Sequence, residues 1–169
     1  MQRRTVLKWM AAVLPVAAVP LGAAPRPDTP LWRTLEGVLE RLLPGGEGVP
    51  SASEMHAAEY LYGTLRHSCF DPEIRAFVFE GAEWVRGEAL RRYGKSFETL
   101  DAEAGEAVLR SLRDHIPRGE AWLSTLITFA LEALLGDPIY GGNFREAGWQ
   151  WLGHVPGMPR PERRYLREL

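Results

Sequence analysis

The chain has 169 residues, of which 46% are hydrophobic and 25% charged, and its formal net charge is −2. These values are typical of one globular domain rather than of a disordered chain. The first 24 residues hold three basic and no acidic side chains, so the remainder has 17 basic against 22 acidic groups and a net charge of −5, which argues against a nucleic-acid-binding protein.

Residues 1–24 have the pattern of an export signal. Arg3 and Arg4 precede the apolar stretch Trp9–Leu21, and the small residues 22–24 that follow suit cleavage. Two prolines interrupt the stretch, which is too short to cross about 30 Å of hydrocarbon comfortably. We predict a twin-arginine signal, read by the twin-arginine translocase. An ordinary Sec signal that contains two arginines stays open as the alternative.

Residues 25–169 are predicted to form one all-α domain, a single bundle of about five helices. Apolar residues recur at helical spacing, and no run shows the sustained alternation of a strand. Ser51 with Glu54 forms a capping box, Asp71 is an N-cap before Pro72, and Asp101 is a further N-cap. The predicted helices are 31–42, 51–65, 72–93, a fourth from Asp101 that ends at Ile116-Pro117, and 120–135.

The fifth predicted helix, 120–135, is apolar on nearly all sides. Such a helix belongs in the middle of a bundle. Glu132 is the exception on its apolar surface. We expect this carboxylate to cap a neighbouring backbone or to pair with an arginine, rather than to act in catalysis.

The stretch 136–161 has the glycine and proline content of a loop but is rich in aromatic residues. Burial of large aromatic side chains offsets the entropy lost when such a backbone becomes ordered. We therefore predict an irregular C-terminal segment packed on the bundle. Gly136-Asp137-Pro138 ends the preceding helix, Gly141-Gly142 permits a tight turn, and Asn143 with Glu146 resembles the start of a short helix.

Trp149 and Trp151 lie two residues apart, so their side chains diverge by about 200° on a helix and about 180° on a strand. One surface can hardly bury both. Either the segment is sandwiched inside its own domain, or one tryptophan is left for a partner.

Residues suited to chemistry are few. His56 with Glu59, and Glu80 with Glu83, are pairs at helical spacing that would bind a metal if they faced each other. Di-metal bundles repeat Glu-x-x-His on two helices, whereas this chain has one histidine in reversed order, so a solvated or salt-bridged face is the favoured interpretation. The single Cys69 excludes an internal disulfide and a thiolate-held iron–sulfur cluster. We expect it to be a small buried residue.

Several of these stretches together resemble the gluconate 2-dehydrogenase subunit 3 family. The most specific are T-F-A-L-E-A-L-L-G-D-P-I-Y-G-G-N at 128–143 and G-W-Q-W-L-G at 148–153. The twin-arginine signal, the helix end at 39–44, the helix that opens at Asp71-Pro72 and the stretch 94–97 add to the likeness.

The resemblance implies a non-catalytic small subunit of a periplasmic dehydrogenase complex that acts on sugars or sugar acids. The chain itself would hold no cofactor. Its partners would be a large flavoprotein of the glucose-methanol-choline oxidoreductase type, which holds FAD, and usually a multihaem cytochrome c subunit, which holds haem c and passes electrons to the membrane. The flavoprotein would be exported bound to the small subunit, and the complex would be associated with the membrane.

Position in the motif and aromatic content single out two sets of residues in the segment. We expect partner contact from Tyr140, Trp149, Trp151 and His154. We expect the segment's shape to depend on Asp137, Pro138, Gly141, Gly142 and Asn143. The basic tail is either a solvated terminus or a docking element for an acidic partner; it comprises Arg160, Arg163, Arg164 and Arg167. The alternatives to a subunit are a self-contained helical metal-binding enzyme and an exported stand-alone binding module.

Overall fold

The computed structural model describes residues 28–162, and these form six α-helices and three 3₁₀ turns, with no β-strand longer than an isolated bridge. The helices are α1 (Pro30–Leu42), α2 (Ala57–Leu65), α3 (Pro72–Tyr93), α4 (Ala102–His115), α5 (Gly119–Leu135) and α6 (Ala147–Leu152). The 3₁₀ turns are Phe97–Thr99, Pro138–Tyr140 and Phe144–Glu146. The predicted all-α bundle is confirmed. The predicted signal with Arg3 and Arg4, and the tail arginines 163, 164 and 167, lie outside the described residues.

Two helix starts follow the predicted caps. The Asp71 carboxylate accepts hydrogen bonds from the backbone N–H groups of Glu73 and Ile74, at 2.8 and 3.4 Å. The Asp101 carboxylate accepts one from the N–H of Ala104 at 2.8 Å. These bonds satisfy N–H groups that the first turn of a helix leaves without partners.

The predicted start of α2 at Ser51 is wrong. The capping box itself forms, because Ser51 N–H donates to Glu54 Oε2 at 2.8 Å and Glu54 N–H donates to Ser51 Oγ at 3.2 Å. However, His56 adopts a left-handed conformation with φ of 57°, so the box closes a separate turn and α2 begins at Ala57. The His56 ring stacks on Phe144 of the C-terminal segment, with ring centroids 4.0 Å apart.

The core lies between α5 and helices α1 to α4. Trp122 of α5 is fully buried, and its indole N–H donates to the carbonyl of Val78 in α3 at 3.0 Å. This bond ties the two longest helices together at the centre of the bundle. Among the helices of the described residues, none is long and apolar enough to cross a membrane.

A polar cluster joins α3 to α4. The nearly buried Glu88 carboxylate accepts hydrogen bonds from Arg91 at 2.8 and 2.9 Å, from Arg92, and from the Ser111 hydroxyl of α4 at 2.7 Å. The hydrogen bonds from Arg91 outweigh the opposing effect of burial and, with those from Ser111 and Arg92, lower the pKa of Glu88 to about 2. Glu88 is therefore charged in the folded chain at neutral pH.

Cys69 is exposed, so the expectation of a buried thiol is wrong. It lies in the short connection between α2 and α3, which runs over the surface as connecting segments usually do.

Candidate functional site

Helix α5 has a buried face and an open face. The buried face consists of Trp122, Leu126, Phe129, Ala130, Ala133 and Leu134. On the other side Ile127, Leu131 and Leu135 are 42%, 43% and 49% exposed. They lie four residues apart, so they form one continuous apolar stripe along the helix. The expectation that α5 would be enclosed all round is therefore wrong, because no described element covers this stripe.

The stripe borders an open groove of about 520 Å³. The groove lies between α2 and the turn Pro138–Tyr140, and residues of α5 form its floor. Its lining includes Tyr60, Thr128, Leu131, Glu132, Leu135 and Tyr140. Tyr140, predicted to contact a partner, is half-buried at the edge of this groove.

Glu132 is the one charged residue in the lining of this groove. The Tyr60 hydroxyl donates to Glu132 Oε2 at 2.9 Å. Burial, the hydrogen bond to Glu132 and the negative charge of that carboxylate raise the pKa of Tyr60 to about 12. Glu132 thus accepts a hydrogen bond from a tyrosine. Among the described residues it forms neither the expected arginine pair nor the expected backbone cap.

The C-terminal segment caps the end of α5. The last carbonyls of a helix have no partner within the helix. The Trp149 indole N–H donates to the carbonyl of Leu135 at 2.8 Å, and Asn143 Nδ2 donates to the carbonyl of Gly136 at 2.9 Å. Side chains from the segment therefore replace the water that would otherwise solvate these groups.

Asn143 joins the end of α5 to the start of α6. Its side chain is fully buried, and Oδ1 accepts a hydrogen bond from the N–H of Gly148 at 2.8 Å. Its backbone is left-handed, with φ of 46°. As the sequence indicated, a short helical turn, Phe144–Glu146, starts directly after Asn143, and the Glu146 N–H donates to the Asn143 carbonyl at 2.8 Å. The Asn143 side chain does not cap this turn but bonds the first turn of α6, which begins at Ala147.

Two glycines let the segment approach the backbone of α5. A Cβ atom on Gly142 would lie 2.7 Å from the Cα of Ala133, and one on Gly148 would lie 2.1 Å from the carbonyl oxygen of Leu134. Both distances are shorter than any real contact of a Cβ atom, so both positions require glycine.

Arg160 holds the two ends of the segment together. Its Nε donates to Asp137 Oδ2 at 3.1 Å, its Nη1 donates to Glu146 Oε1 at 2.6 Å, and its guanidinium lies 5.1 Å from the centre of the Trp149 ring. Burial opposes the charge of Asp137, but the hydrogen bonds from Arg160 and from the N–H of Ile139 lower its pKa. Arg160 is thus bonded within the segment. The solvated terminus, one of the two alternatives for the basic tail, does not describe this residue.

The remaining shape residues lie in the turn after α5. Asp137 caps this turn, since its Oδ1 accepts from the N–H of Ile139 at 3.0 Å. Pro138 occupies the first position of the turn, where no N–H is needed. Gly141 ends it with φ of 100°, a conformation that favours glycine.

Trp149 and Trp151 differ in exposure, as their spacing of two residues requires. Trp149 is 6% exposed and Trp151 is 44% exposed. His154 is exposed, and its ring centroid lies 5.3 Å from that of Trp149. Trp151 and His154 are therefore accessible to a partner, whereas Trp149 is used mainly within the chain. Partner contact by all four residues stays a prediction.

Sequence reasoning missed the stripe of Ile127, Leu131 and Leu135 and the groove beside it. The signal was present, since an apolar face at i, i+4 spacing was visible on a helix apolar all round. Which side of such a helix the bundle covers depends on the packing of the other helices.

The metal-site alternative lacks a ligand set in residues 28–162, where no three His, Cys, Asp or Glu side chains are grouped to hold an ion. His56 is stacked on Phe144, and Glu83 pairs with Arg86 at 2.7 Å.

A comparison with known protein families gives a match that covers the described helices. The family model described as Gluconate 2-dehydrogenase subunit 3 matches residues 30–157, from the start of α1 to beyond the end of α6. Comparisons with curated proteins and with solved structures found no significant match. Since the match extends over most of the sequence, the chain belongs to the gluconate 2-dehydrogenase subunit 3 family.

Proposed function

We propose that this chain is the non-catalytic small subunit of a periplasmic FAD-dependent dehydrogenase of the gluconate 2-dehydrogenase type, and that it assists the folding, assembly and export of the large flavoprotein subunit. Family membership implies a subunit of a multi-subunit dehydrogenase complex. The finer assignment is our proposal: a flavoprotein of the glucose-methanol-choline type that holds FAD, and a multihaem cytochrome c as a possible third subunit.

The observation that carries the proposal is the open apolar face of α5. Ile127, Leu131 and Leu135 form a stripe that continues to Tyr140 through the groove. We name these four residues the α5 surface. Contiguous exposed apolar surface on a soluble chain marks an interaction site, and aromatic residues are enriched where binding energy concentrates.

The C-terminal segment holds the α5 surface in a fixed shape. Asn143 and Trp149 cap the end of α5, and Arg160 closes the segment. A surface that is ordered before binding loses little conformational entropy when the partner docks. This favours a stable subunit interface over a transient contact.

The predicted twin-arginine signal supplies the export part of the proposal. In this scheme the flavoprotein folds around FAD in the cytoplasm, binds the α5 surface, and crosses the membrane as a folded complex with this chain. The twin-arginine translocase recognises Arg3 and Arg4. In the periplasm the complex is associated with the membrane.

The test is co-purification from the native host with a tag at the C-terminus. We expect a large polypeptide with a flavin absorbance spectrum to elute with the chain from the periplasmic fraction. Leu131→Asp should abolish co-elution, whereas Ile74→Asp, at a residue 40% exposed on α3, should not. Replacing Arg3 and Arg4 by lysine should retain both polypeptides in the cytoplasm. A colourless monomeric eluate from the unaltered chain contradicts the proposal and favours a stand-alone binding module.

A further inference from the structure

We infer that the part of the flavoprotein that fills the groove beside α5 carries an arginine or lysine side chain that pairs with Glu132. This inference rests on the proposed function, and it specifies the chemistry of the partner at the α5 surface. It follows from one carboxylate in an otherwise uncharged groove.

Within residues 28–162 the Glu132 carboxylate is only partly satisfied. Among the described residues, Tyr60 is the only hydrogen-bond donor to Glu132, and it reaches Oε2 alone. The Tyr60 hydroxyl has a single proton, which this bond uses. The Thr128 hydroxyl, also in the groove, donates to the carbonyl of Ser124 at 3.0 Å. Of the three hydroxyls in the lining of the groove, those of Tyr60 and Thr128 therefore have no second proton to donate to Oε1.

Glu132 is an exposed residue, so in the free chain water can hydrate the part of its carboxylate that Tyr60 does not bond. A partner that covers Leu131, Leu135 and Tyr140 removes that water. Removing a carboxylate from water is costly unless a cation and its hydrogen bonds replace the solvent. The partner segment must therefore combine apolar side chains for the stripe with a basic side chain for Glu132.

The same charge argues against a second copy of this chain as the occupant. A symmetric dimer uses the same patch on both subunits. Pairing through the α5 surface would bring two Glu132 carboxylates into one interface, and like charges facing each other oppose association. A different partner with a basic group avoids this repulsion.

The experiment compares full-length chains co-expressed with the flavoprotein. The dissociation constant of the purified pair is measured for the unaltered chain, Glu132→Gln and Glu132→Lys. We expect the constant to rise about 30-fold for Gln, the lower end of the range found when one partner of a covered charge pair is truncated, and by more than that for Lys. Glu80→Lys makes the same charge change on an exposed site of α3 and should leave the constant within about twofold.

A photo-crosslinking residue at position 131 then identifies the partner segment. Replacing its basic residue by glutamate should restore binding to the Glu132→Lys chain. Thermal unfolding of each variant shows whether the bundle is intact. We expect it to be intact, because Glu132 is exposed.

The outcomes separate the two hypotheses. If the unaltered chain forms no complex with a flavoprotein, the proposed function fails. If the complex forms but Glu132→Lys binds as tightly as the unaltered chain, this inference is wrong and the proposed function stands. A crosslink from position 131 to a second copy, to residues 1–27 or to residues 163–169 also overturns the inference.

Discussion

Trp149 caps the helix from which its own segment departs, because its indole N–H bonds the carbonyl of Leu135 at 2.8 Å. Leu135 is the last residue of α5, and its side chain belongs to the α5 surface. The backbone that presents the surface is thus held by the segment that follows it. Changes in the segment are expected to alter partner binding even where they touch no partner.

Trp149→Phe should separate the hydrogen bond from the packing of the ring. The variant keeps most of the buried aromatic area but leaves the carbonyl of Leu135 without its donor, which should cost about 1–3 kcal/mol in the free energy of unfolding. Urea denaturation measures this difference. Trp151→Phe, at the exposed tryptophan, should stay within about 0.5 kcal/mol. Equal effects at the two positions would contradict the capping role.

Asn143 offers a test of backbone strain against hydrogen bonding. Asn143→Gly and Asn143→Ala both remove the bonds to Gly136 and Gly148, but only alanine resists the left-handed backbone at this position. We expect both variants to be destabilised, and alanine by about 1 kcal/mol more than glycine. Denaturation curves of the two variants are compared directly. If alanine is the more stable, the left-handed conformation is not required.

Two glycine substitutions should act in opposite directions. Gly148→Ala places a Cβ atom against the carbonyl oxygen of Leu134 and should destabilise the chain by about 1–3 kcal/mol. Gly87→Ala, within α3, meets no atom within 4 Å and should stabilise it by about 0.5–1 kcal/mol. Thermal melts of the two variants test both signs. A neutral Gly148→Ala would show that α6 lies further from α5.

The free energy of unfolding should depend on pH through Glu88. Its pKa is lowered from the ordinary 4.5 to about 2 in the folded chain, so the unfolded chain takes up the proton first. The stabilisation by Glu88 is therefore complete above about pH 4.5 and is lost as the pH falls towards 2. At pH 7 Glu88→Gln should cost about 1–3 kcal/mol.

The measurement for Glu88 is denaturation at several pH values. The difference in stability between Glu88→Gln and the unaltered chain should narrow as the pH falls from 5 towards 2. Glu106→Gln is the control, because Glu106 forms an exposed pair with Arg110 one turn away and should change stability little at any pH. A difference for Glu88 that does not vary with pH would overturn the role of its charge.

The sequence correctly predicted the helix starts that are fixed by a capping residue next to them. Asp71 and Asp101 bond N–H groups two or three residues away, so the sequence around them contains the whole cause. The start of α2 was not predictable in the same way. The left-handed turn at His56 accompanies a ring stack on Phe144, which is far away along the chain.

The α5 surface was hard to predict for the same reason, since it too depends on contacts between residues far apart along the chain. Motif position and aromatic content selected residues of the C-terminal segment, of which Trp151 and His154 are exposed and Tyr140 is half-buried at the edge of the groove. The exposure of Leu131 depends on which side of α5 the other helices cover, and the hydrogen bond between Tyr60 and Glu132 depends on the packing of α2 against α5. Neither follows from the order of residues within one helix.

The stack of His56 on Phe144 also bears on the order of events during synthesis. The corner before α2 leaves the ribosome well before Phe144, α6 and Arg160. The corner and the end of α5 therefore reach their final form only after residues 143–160 have been translated. Under the proposed function, a flavoprotein that requires the finished surface binds only after the C-terminal segment has folded onto α5, so assembly depends on that segment rather than on the first appearance of α5.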